Sequence, residues 1–515
     1  MWREQALTRL TGEAFDVLVI GGGATGAGIA LDAAGRGLRV ALLERADFSE
    51  GTSSRSTKLL HGGVRYLELA VKRLDGAQFR LVKDALHERH TLLRLAPHLA
   101  STVALITPLY SWFELPYYYI GLKAYDLLAG AGYRIGASRL FGRQETLRRL
   151  PGLRPDGLRG SVMYFDGRFD DSRMNLALVR TAAAQGATVL NHAEVTQLLV
   201  ESGRVFGARF NDKVGGASHE VRARVVVNAT GPFVDHVRKL DDPNAADTLT
   251  ASSGTHIVLA GEHLPGGSGM LIPKTDDGRV LFLLPWQGHT LVGTTDNPAV
   301  AEAAPKAPEG DVDYLLDYLG RYMQRTFTRA DVLSAWVGFR PLVKPQKSVS
   351  TAQITRDHHI EVSAQGLVTV TGGKWTTYRL MASDALDRAV TTAGLTAGPS
   401  RTANTPLVGA EGFGPQLAGE LAAEFGLDAD VAEHLAHAYG GEARSVAALG
   451  LQHGLLTRLH PAHPYVEAEV VWAKEQEYAV SADDVLERRL RLGFLDREAA
   501  MDVAERTEAL LARTP

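Results

Sequence analysis

Apolar residues gather in short unbroken runs along this chain. Residues 15–20 read FDVLVI and residues 39–44 read RVALLE, and the AGIALDAAGRG between them is rich in small residues. Short apolar runs bounded by turn residues predict strands buried on both faces, and strand, helix, strand in succession predicts a parallel sheet. Two later segments have the same texture. ARVVVNATG (223–231) predicts a strand, and GLVTVTGGKWTTYRLMASDAL (366–386) predicts a strand, a double-glycine turn and a helix start. Both read as further strands of the same sheet, contributed from distant sequence.

Other stretches follow different periods. GAQFRLVKDALHERHTLLRL (76–95) predicts an amphipathic helix with Val82, Leu86 and Leu93 on one stripe. RVLFLLPW and HTLVGTTD, within 279–296, predict a hairpin, and with THIVL (255–259) they predict an antiparallel sheet. AVAEAAPKAPEG (299–310) predicts a loop, and TAGPSRTANTP (396–406) marks a boundary before a helical C-terminal domain. There, Ser481 followed by Asp484 fits a capping box.

The glycines between the first two strands carry the first chemical signal. Gly21, Gly23 and Gly26 fit G-x-G-x-x-G. The first glycine permits the tight turn, the second lets backbone approach a pyrophosphate, and the third lets the helix pack on the strand. The helix N-terminus turns N–H groups and a positive dipole end toward the phosphates. Glu44 ends the second strand 18 residues past Gly26, close to the ~20 expected of a carboxylate that holds ribose hydroxyls. By itself the motif is compatible with NAD or FAD. GAEGFG (409–414) has the wrong spacing and no strand before it, so a separate nicotinamide site is not expected.

Composition narrows the field. At 515 residues the chain exceeds one simple core. A net charge of −4 gives no broad basic surface for nucleic acid. The absence of cysteine excludes disulfides, thiolate metal ligands, Cys nucleophiles and a dithiol relay, and no metal site is expected. The N-terminal MWREQALTRLTGEAFD has no apolar core of signal-peptide length, and no transmembrane stretch appears, so a cytoplasmic location is expected.

The segments SSRSTKLLHGG, HGGVRY (61–66), YFDGRFDDSRMNLALVR (164–180), VNATGPFV, GTHIVL, LVGTTD, GFRPL (338–342), ITRD (354–357) and GGKWTTY (372–378), with the glycine fingerprint, closely resemble those of the FAD-dependent, quinone-linked glycerol-3-phosphate dehydrogenases. The resemblance covers almost the whole chain. It implies an α/β fold: a Rossmann-like FAD-binding domain, an inserted antiparallel-sheet substrate domain and an all-helical C-terminal domain. The FAD-binding part is expected at about 14–75, 160–235 and 350–395, interleaved within residues 1–400 with a substrate domain at about 76–160 and 236–350; residues 401–515 form the C-terminal domain, a structural cap or homodimer contact.

The resemblance also implies a site. Arg65, Tyr66, Arg340, Arg356 and Lys374 are expected to line the substrate pocket. Glycerol 3-phosphate carries nearly two negative charges and little apolar surface, and guanidinium groups bind phosphate oxygens in bidentate fashion. Lys374 follows two glycines at a helix start, where backbone N–H groups can join it. Gly62 and Gly63 are expected to let backbone lie against the isoalloxazine, with Ser53, Ser54 and Lys58 meeting the pyrophosphate or flavin carbonyls. Gly231, Gly373 and Thr376 complete the cofactor set beside Gly21, Gly23, Gly26, Glu44 and His61. Hydride transfer from substrate C2 needs a base at the C2 hydroxyl, and His61 and His256 are the candidates, with Arg340 and Lys374 as catalytic cations.

Three alternatives stand beside this reading. An amino-acid oxidase on the same fold needs one Arg for a carboxylate rather than several cations. A glycerol-3-phosphate oxidase would pass electrons to oxygen and, by the resemblance, carries an extra segment. A flavin-binding regulatory protein needs no turnover. For the dehydrogenase, the expected acceptor is a membrane quinone. TPLYSWFELPYYYIGLKAYDLLAG (107–130) packs Trp112, Phe113, Tyr117, Tyr118, Tyr119 and Ile120 close together, which predicts either a peripheral contact with the inner face of a membrane or aromatic packing.

Overall fold

The computed structural model describes residues 2–63, 76–130, 132–264, 266–344 and 358–513. The first apolar run is the strand Ala14–Ile20, buried throughout from Val17 to Ile20. It pairs in parallel with Val40–Leu43 on one side and Ser218–Asn228 on the other, Val17 facing both Val40 and Val225. Val368–Gly372 adds in parallel to Ser218–Asn228, and Thr188–Leu190 adds to Val40–Leu43. His358–Val362 closes one edge antiparallel, and the hairpin Ala193–Glu201/Arg204–Asp212 completes eight strands. The helix Ala24–Gly35 packs between Asp171–Ala184 and Tyr378–Ala393 over this sheet. Its alanines and glycines let three helices share one face, and Ile29, Leu178, Ala382 and Leu386 are buried together there.

A second sheet of ten strands is built around Leu249–Ala260, which pairs along its length with Ser334–Val343. The expected hairpin is Leu281–Trp286 and His289–Gly293. Gln287 (φ 45°) and Gly288 (φ 77°) join them, both in the positive-φ region that a two-residue type I′ turn requires. The helix Glu309–Tyr322 covers one face through Leu315 and Leu319, and the other face packs against Gly76–Leu95, Glu114–Ala129 and the C-terminal helices.

Three expectations need correction. Gly160–Phe169 and Leu59–Leu60, expected with the nucleotide half, lie in the ten-stranded sheet, which is mixed rather than antiparallel because Gly269–Ile272 pairs in parallel with Ala100–Leu109. Gly160–Phe169 pairs from end to end with Ala100–Leu109, and that long ladder overrides its closeness in sequence to the helix Asp171–Ala184. In Gly76–Leu95 the deep stripe runs through Val82, Leu86 and Leu92, with Leu93 only half-buried.

C-terminal to the 396–406 break the chain is helical, with Leu417–Phe425, Ala429–Tyr439, Ala443–His453, Glu467–Gln476 and Ala504–Ala512 as the longer helices. The Ser481–Asp484 capping box is reciprocal: the Asp484 N–H donates to Ser481 Oγ and the Ser481 N–H to Asp484 Oδ2, both at 3.2 Å. Buried pairs tie these helices to the nucleotide half. Arg173 meets Glu477 at 2.8 Å, Arg488 Nε donates to Asp47 at 2.7 Å, and Arg491 Nη2 donates to the Ser54 carbonyl at 2.7 Å. Asp47, His192 and Asp484 converge here, but Arg488 and Arg489 already supply the positive charge, so the cluster is an ion-pair hub.

Candidate active site

The turn after Ala14–Ile20 is shaped by sterics. Gly21 has φ of 110°, and a Cβ at Gly26 would stand 1.8 Å from the Gly21 carbonyl oxygen. Only glycine at both positions lets the turn and the helix start fit. Gly23 is the N-cap of Ala24–Gly35, and the Ala24 N–H is taken by Ser53 Oγ at 2.9 Å. Glu44 accepts from the Gly22 N–H at 2.6 Å and the Ala46 N–H at 3.0 Å. Its burial raises its pKa, and those two N–H groups oppose the rise. A carboxylate has about four acceptor positions, so ribose hydroxyls can still be held.

This turn opens into a cavity of about 1580 Å³. That exceeds the ~300–1,000 Å³ of an ordinary small-molecule site and suits a dinucleotide with a substrate beside it. Gly21, Gly23, Glu44, Ser53 and Gly231 line one end; His61, His256, Arg340, Gly373, Lys374 and Thr376 also face it. Trp375 Nε1 donates to the Ser53 carbonyl at 3.0 Å and so fastens the 372–378 turn to the serine loop. The glycine cradle, the acidic strand end and the size of the cavity fit FAD.

His61 follows the edge strand Leu59–Leu60. Its Nδ1 lies 2.6 Å from Asp166 Oδ2, and its backbone N–H donates to Thr376 Oγ1 at 3.2 Å. Asp166 is fully buried and also accepts from Arg89 Nη1 at 2.6 Å and the Tyr125 hydroxyl at 3.1 Å. Burial alone would raise the pKa of Asp166, but His61 and Arg89 outweigh it and hold the carboxyl below its ordinary range.

His256 has a different setting. It pairs with Trp336 across the sheet, and the rings stack at 4.2 Å. Its Nε2 lies 2.9 Å from Thr57 Oγ1. Burial, then Lys58 and Arg340, push its pKa well below the usual histidine value, so it is neutral. Arg340 sits on the neighbouring strand, its Nη2 donating to Thr294 Oγ1 and the Thr295 carbonyl, each at 3.2 Å. Lys374 is the N-cap of the 3₁₀ turn Trp375–Thr377, as expected of a residue that follows two glycines.

Several expected residues stand elsewhere. The Lys58 side chain turns inward: Nζ donates to Asp171 Oδ2 and the Ser54 carbonyl at 2.7 Å each and lies 4.5 Å from the Trp336 ring centre. Its burial lowers its pKa to about 7 despite Asp171. Ser54 is buried and bonds back to the Gly51 carbonyl, so neither residue reaches the cavity. Gly62 makes room for protein, since a Cβ there would stand 2.4 Å from the Tyr125 hydroxyl. Gly63, with φ of 90°, completes the turn beside it. Arg65, Tyr66 and Arg356 lie outside the described residues. Sequence reasoning missed Asp166, Thr57 and Thr294, which reach His61, His256 and Arg340 only through the tertiary fold, and Arg89 and Tyr125, which bond to Asp166.

Comparison with known proteins agrees with this geometry. Residues 16–379 match the FAD dependent oxidoreductase family, and residues 400–514 match the C-terminal domain of alpha-glycerophosphate oxidase. The mitochondrial glycerol-3-phosphate dehydrogenase of Homo sapiens is 47% identical over 522 residues, covering 99% of this chain and 72% of that protein. A probable mitochondrial glycerol-3-phosphate dehydrogenase of Caenorhabditis elegans is 46% identical, covering 97% of this chain and 71% of that protein. Among solved structures, the glycerol-3-phosphate dehydrogenase of Bacillus halodurans, complexed with FAD, superimposes with a TM-score of 0.78 at 28% identity, covering 99% of this chain and 98% of the other. The L-alpha-glycerophosphate oxidase of Mycoplasma pneumoniae, at 18% identity and a TM-score of 0.57, shares the fold. With the glycine cradle, the large cavity and these relatives together, the chain belongs to the FAD-dependent glycerol-3-phosphate dehydrogenase family.

Proposed function

We propose that this chain oxidises glycerol 3-phosphate to dihydroxyacetone phosphate and delivers the electrons to a membrane quinone. The observation that carries the reading is one cavity shared by a dinucleotide turn, a carboxylate-backed histidine and the cations Arg340 and Lys374. When bound, FAD supplies the hydride acceptor, the hard part of the chemistry. Arg340 and Lys374 bind and orient the phosphate, with Arg65, Tyr66 and Arg356 as further proposed contacts. His61 takes the proton of the C2 hydroxyl as the hydride leaves C2. His256, neutral and stacked, shapes the wall. Gly21, Gly23, Gly26, Glu44, Ser53, Gly231, Gly373 and Thr376 hold the cofactor. The eight-stranded sheet forms the cofactor domain, the ten-stranded sheet the substrate domain, and the helices beyond residue 400 a cap.

The test is the visible spectrum under anaerobic conditions. A yellow protein that bleaches with glycerol 3-phosphate supports the reading; a flavin that ignores this substrate and reduces with an amino acid overturns it. Peroxide formed at the rate of substrate loss in air would favour an oxidase.

The helix Glu114–Ala129 supports a peripheral membrane position on the cytoplasmic face. Leu115, Leu122 and Tyr125 are buried, while Trp112 (64%), Phe113 (89%) and Ile120 (67%) stand exposed. Pro116 falls in the first turn, where its missing N–H costs nothing. Tyr117, Tyr118, Ile120 and Gly121 of the same helix line the cavity, so an acceptor with an apolar tail has a path inward. Among the described residues no helix is long and apolar enough to cross a membrane. The protein should float with liposomes. Polar replacement of Trp112 and Phe113 should release it and slow quinone reduction, with a soluble acceptor still reduced at the parent rate. Absence of liposome binding by the parent removes the membrane contact.

A further inference from the structure

Asp166 touches His61 at Nδ1, and its surroundings are more elaborate than packing requires. It lies on Gly160–Phe169, fully buried, and three groups converge on its two oxygens. Oδ2 is 2.6 Å from His61 Nδ1, Oδ1 accepts from Arg89 Nη1 at 2.6 Å, and the Tyr125 hydroxyl donates to Oδ1 at 3.1 Å. The Tyr125 hydroxyl in turn accepts from the Gly62 N–H at 2.9 Å, so the residue after His61 is held by the same network. Arg89 and Tyr125 are themselves buried. Arg89 sits on Oδ1, which leaves Oδ2 facing the His61 ring at Nδ1. An ionised carboxylate only accepts hydrogen bonds, so its presence at Nδ1 selects the Nδ1–H tautomer.

We propose that Asp166 is a positioning residue that holds the His61 ring in one orientation and in the Nδ1–H tautomer, so that Nε2 is the atom that accepts the substrate hydroxyl proton. This rests on the reading of His61 as the base. The balance is simple. The O–H bond of the substrate breaks, its proton forms a bond with Nε2, and the electron pair left on oxygen forms the carbonyl as the hydride departs from C2. Asp166 keeps its charge throughout and faces an imidazolium after the transfer. Arg89, Tyr125 and the Gly62 N–H hold this pair in place, which explains why glycine is needed at 62: a side chain there would displace the tyrosine hydroxyl.

The experiment uses the holoenzyme labelled with ¹⁵N-histidine, with the His61 signals identified by their loss in His61→Gln. In the parent, His61 should carry its proton on Nδ1 with Nε2 unprotonated. Asp166→Asn should lose that single tautomer, and Asp166→Glu, which keeps a carboxylate, should retain it. In turnover, Asp166→Asn should lower kcat on the order of 10²-fold with KM within about threefold. In the His61→Gln background, the same substitution should cost no more than about twofold further, because both changes remove one function. A parent with Nε2 protonated overturns the proposal even if Asp166→Asn does not fold. An unchanged tautomer in Asp166→Asn, or losses that multiply in the double variant, also overturn it. A parent inactive on glycerol 3-phosphate defeats the functional reading, whereas the nitrogen signals still decide what Asp166 does.

Discussion

The two histidines of the cavity stand toward opposite ends of one ten-stranded sheet and differ in what lies behind them. His61, beside the edge strand, has a buried carboxylate at 2.6 Å; His256, on the long strand Leu249–Ala260, has a tryptophan face at 4.2 Å and two cations nearby. A ring backed by a carboxylate is oriented by it and stabilised when it gains a proton. A ring backed by an aromatic face and cations is penalised for gaining one. The same side chain in the same cavity is thus suited to proton transfer at one position and to shaping a neutral wall at the other.

Paired substitution of these histidines is the strongest way to break the comparison. His61→Gln should lower kcat by about 10²–10⁴-fold, the usual share of a general base, with FAD content unchanged. His256→Gln should keep kcat within about tenfold and instead lower thermal stability by ~1–3 kcal/mol, since it loses a stacked, buried ring. Turnover and thermal melts of both variants check this; the reverse pattern would exchange their roles. Arg340→Ala and Lys374→Ala come next. Each should remove a charge-assisted contact of ~1.5–3 kcal/mol, or about 10–100-fold in kcat/KM, again with FAD retained. Glycerol should be a poor substrate, because it brings no phosphate to those cations.

A smaller effect extends the comparison to His98, which like His256 is buried without a carboxylate partner. It sits where the C-terminal helices dock, beside Phe413 and Arg173. Burial, helped by Arg173 and His437, lowers its pKa to about 3. The unfolded chain takes up a proton near ~6.5 and the folded one only near 3, so the stability from neutral His98 is full above ~6.5 and is lost as pH falls toward 3. His98→Gln should flatten this acid slope by at most ~1.4 kcal/mol per pH unit, read from melting temperatures across that range.

Much of the cofactor half was legible in the sequence. The strand Ala14–Ile20, the Gly21–Gly26 turn and the helix Ala24–Gly35 fall where the apolar run and the glycine spacing place them. The hairpin turn at Gln287–Gly288 and the Ser481–Asp484 capping box are equally local. Lys58 was misread because its polarity in a hydroxyl-rich loop says nothing about direction. It is drawn inward by Asp171, 113 positions away, and by the Trp336 ring of the ten-stranded sheet. The domain limits failed at Gly160–Phe169 for the same kind of reason, since ladder partners are chosen across the fold.

The sequence by itself determined a dinucleotide-binding turn, two classes of sheet, a helical C-terminal part and a family. Each depends on backbone sterics or periodicity within some twenty residues, or on motif identity, and needs no knowledge of what packs against what. Tertiary structure alone decided which histidine has a carboxylate behind it. Asp166 lies 105 positions from His61 and 77 from Arg89, and Trp336 lies 80 from His256. A proton acceptor is defined by the burial and charge of its neighbours, and those exist only after the chain has closed on itself.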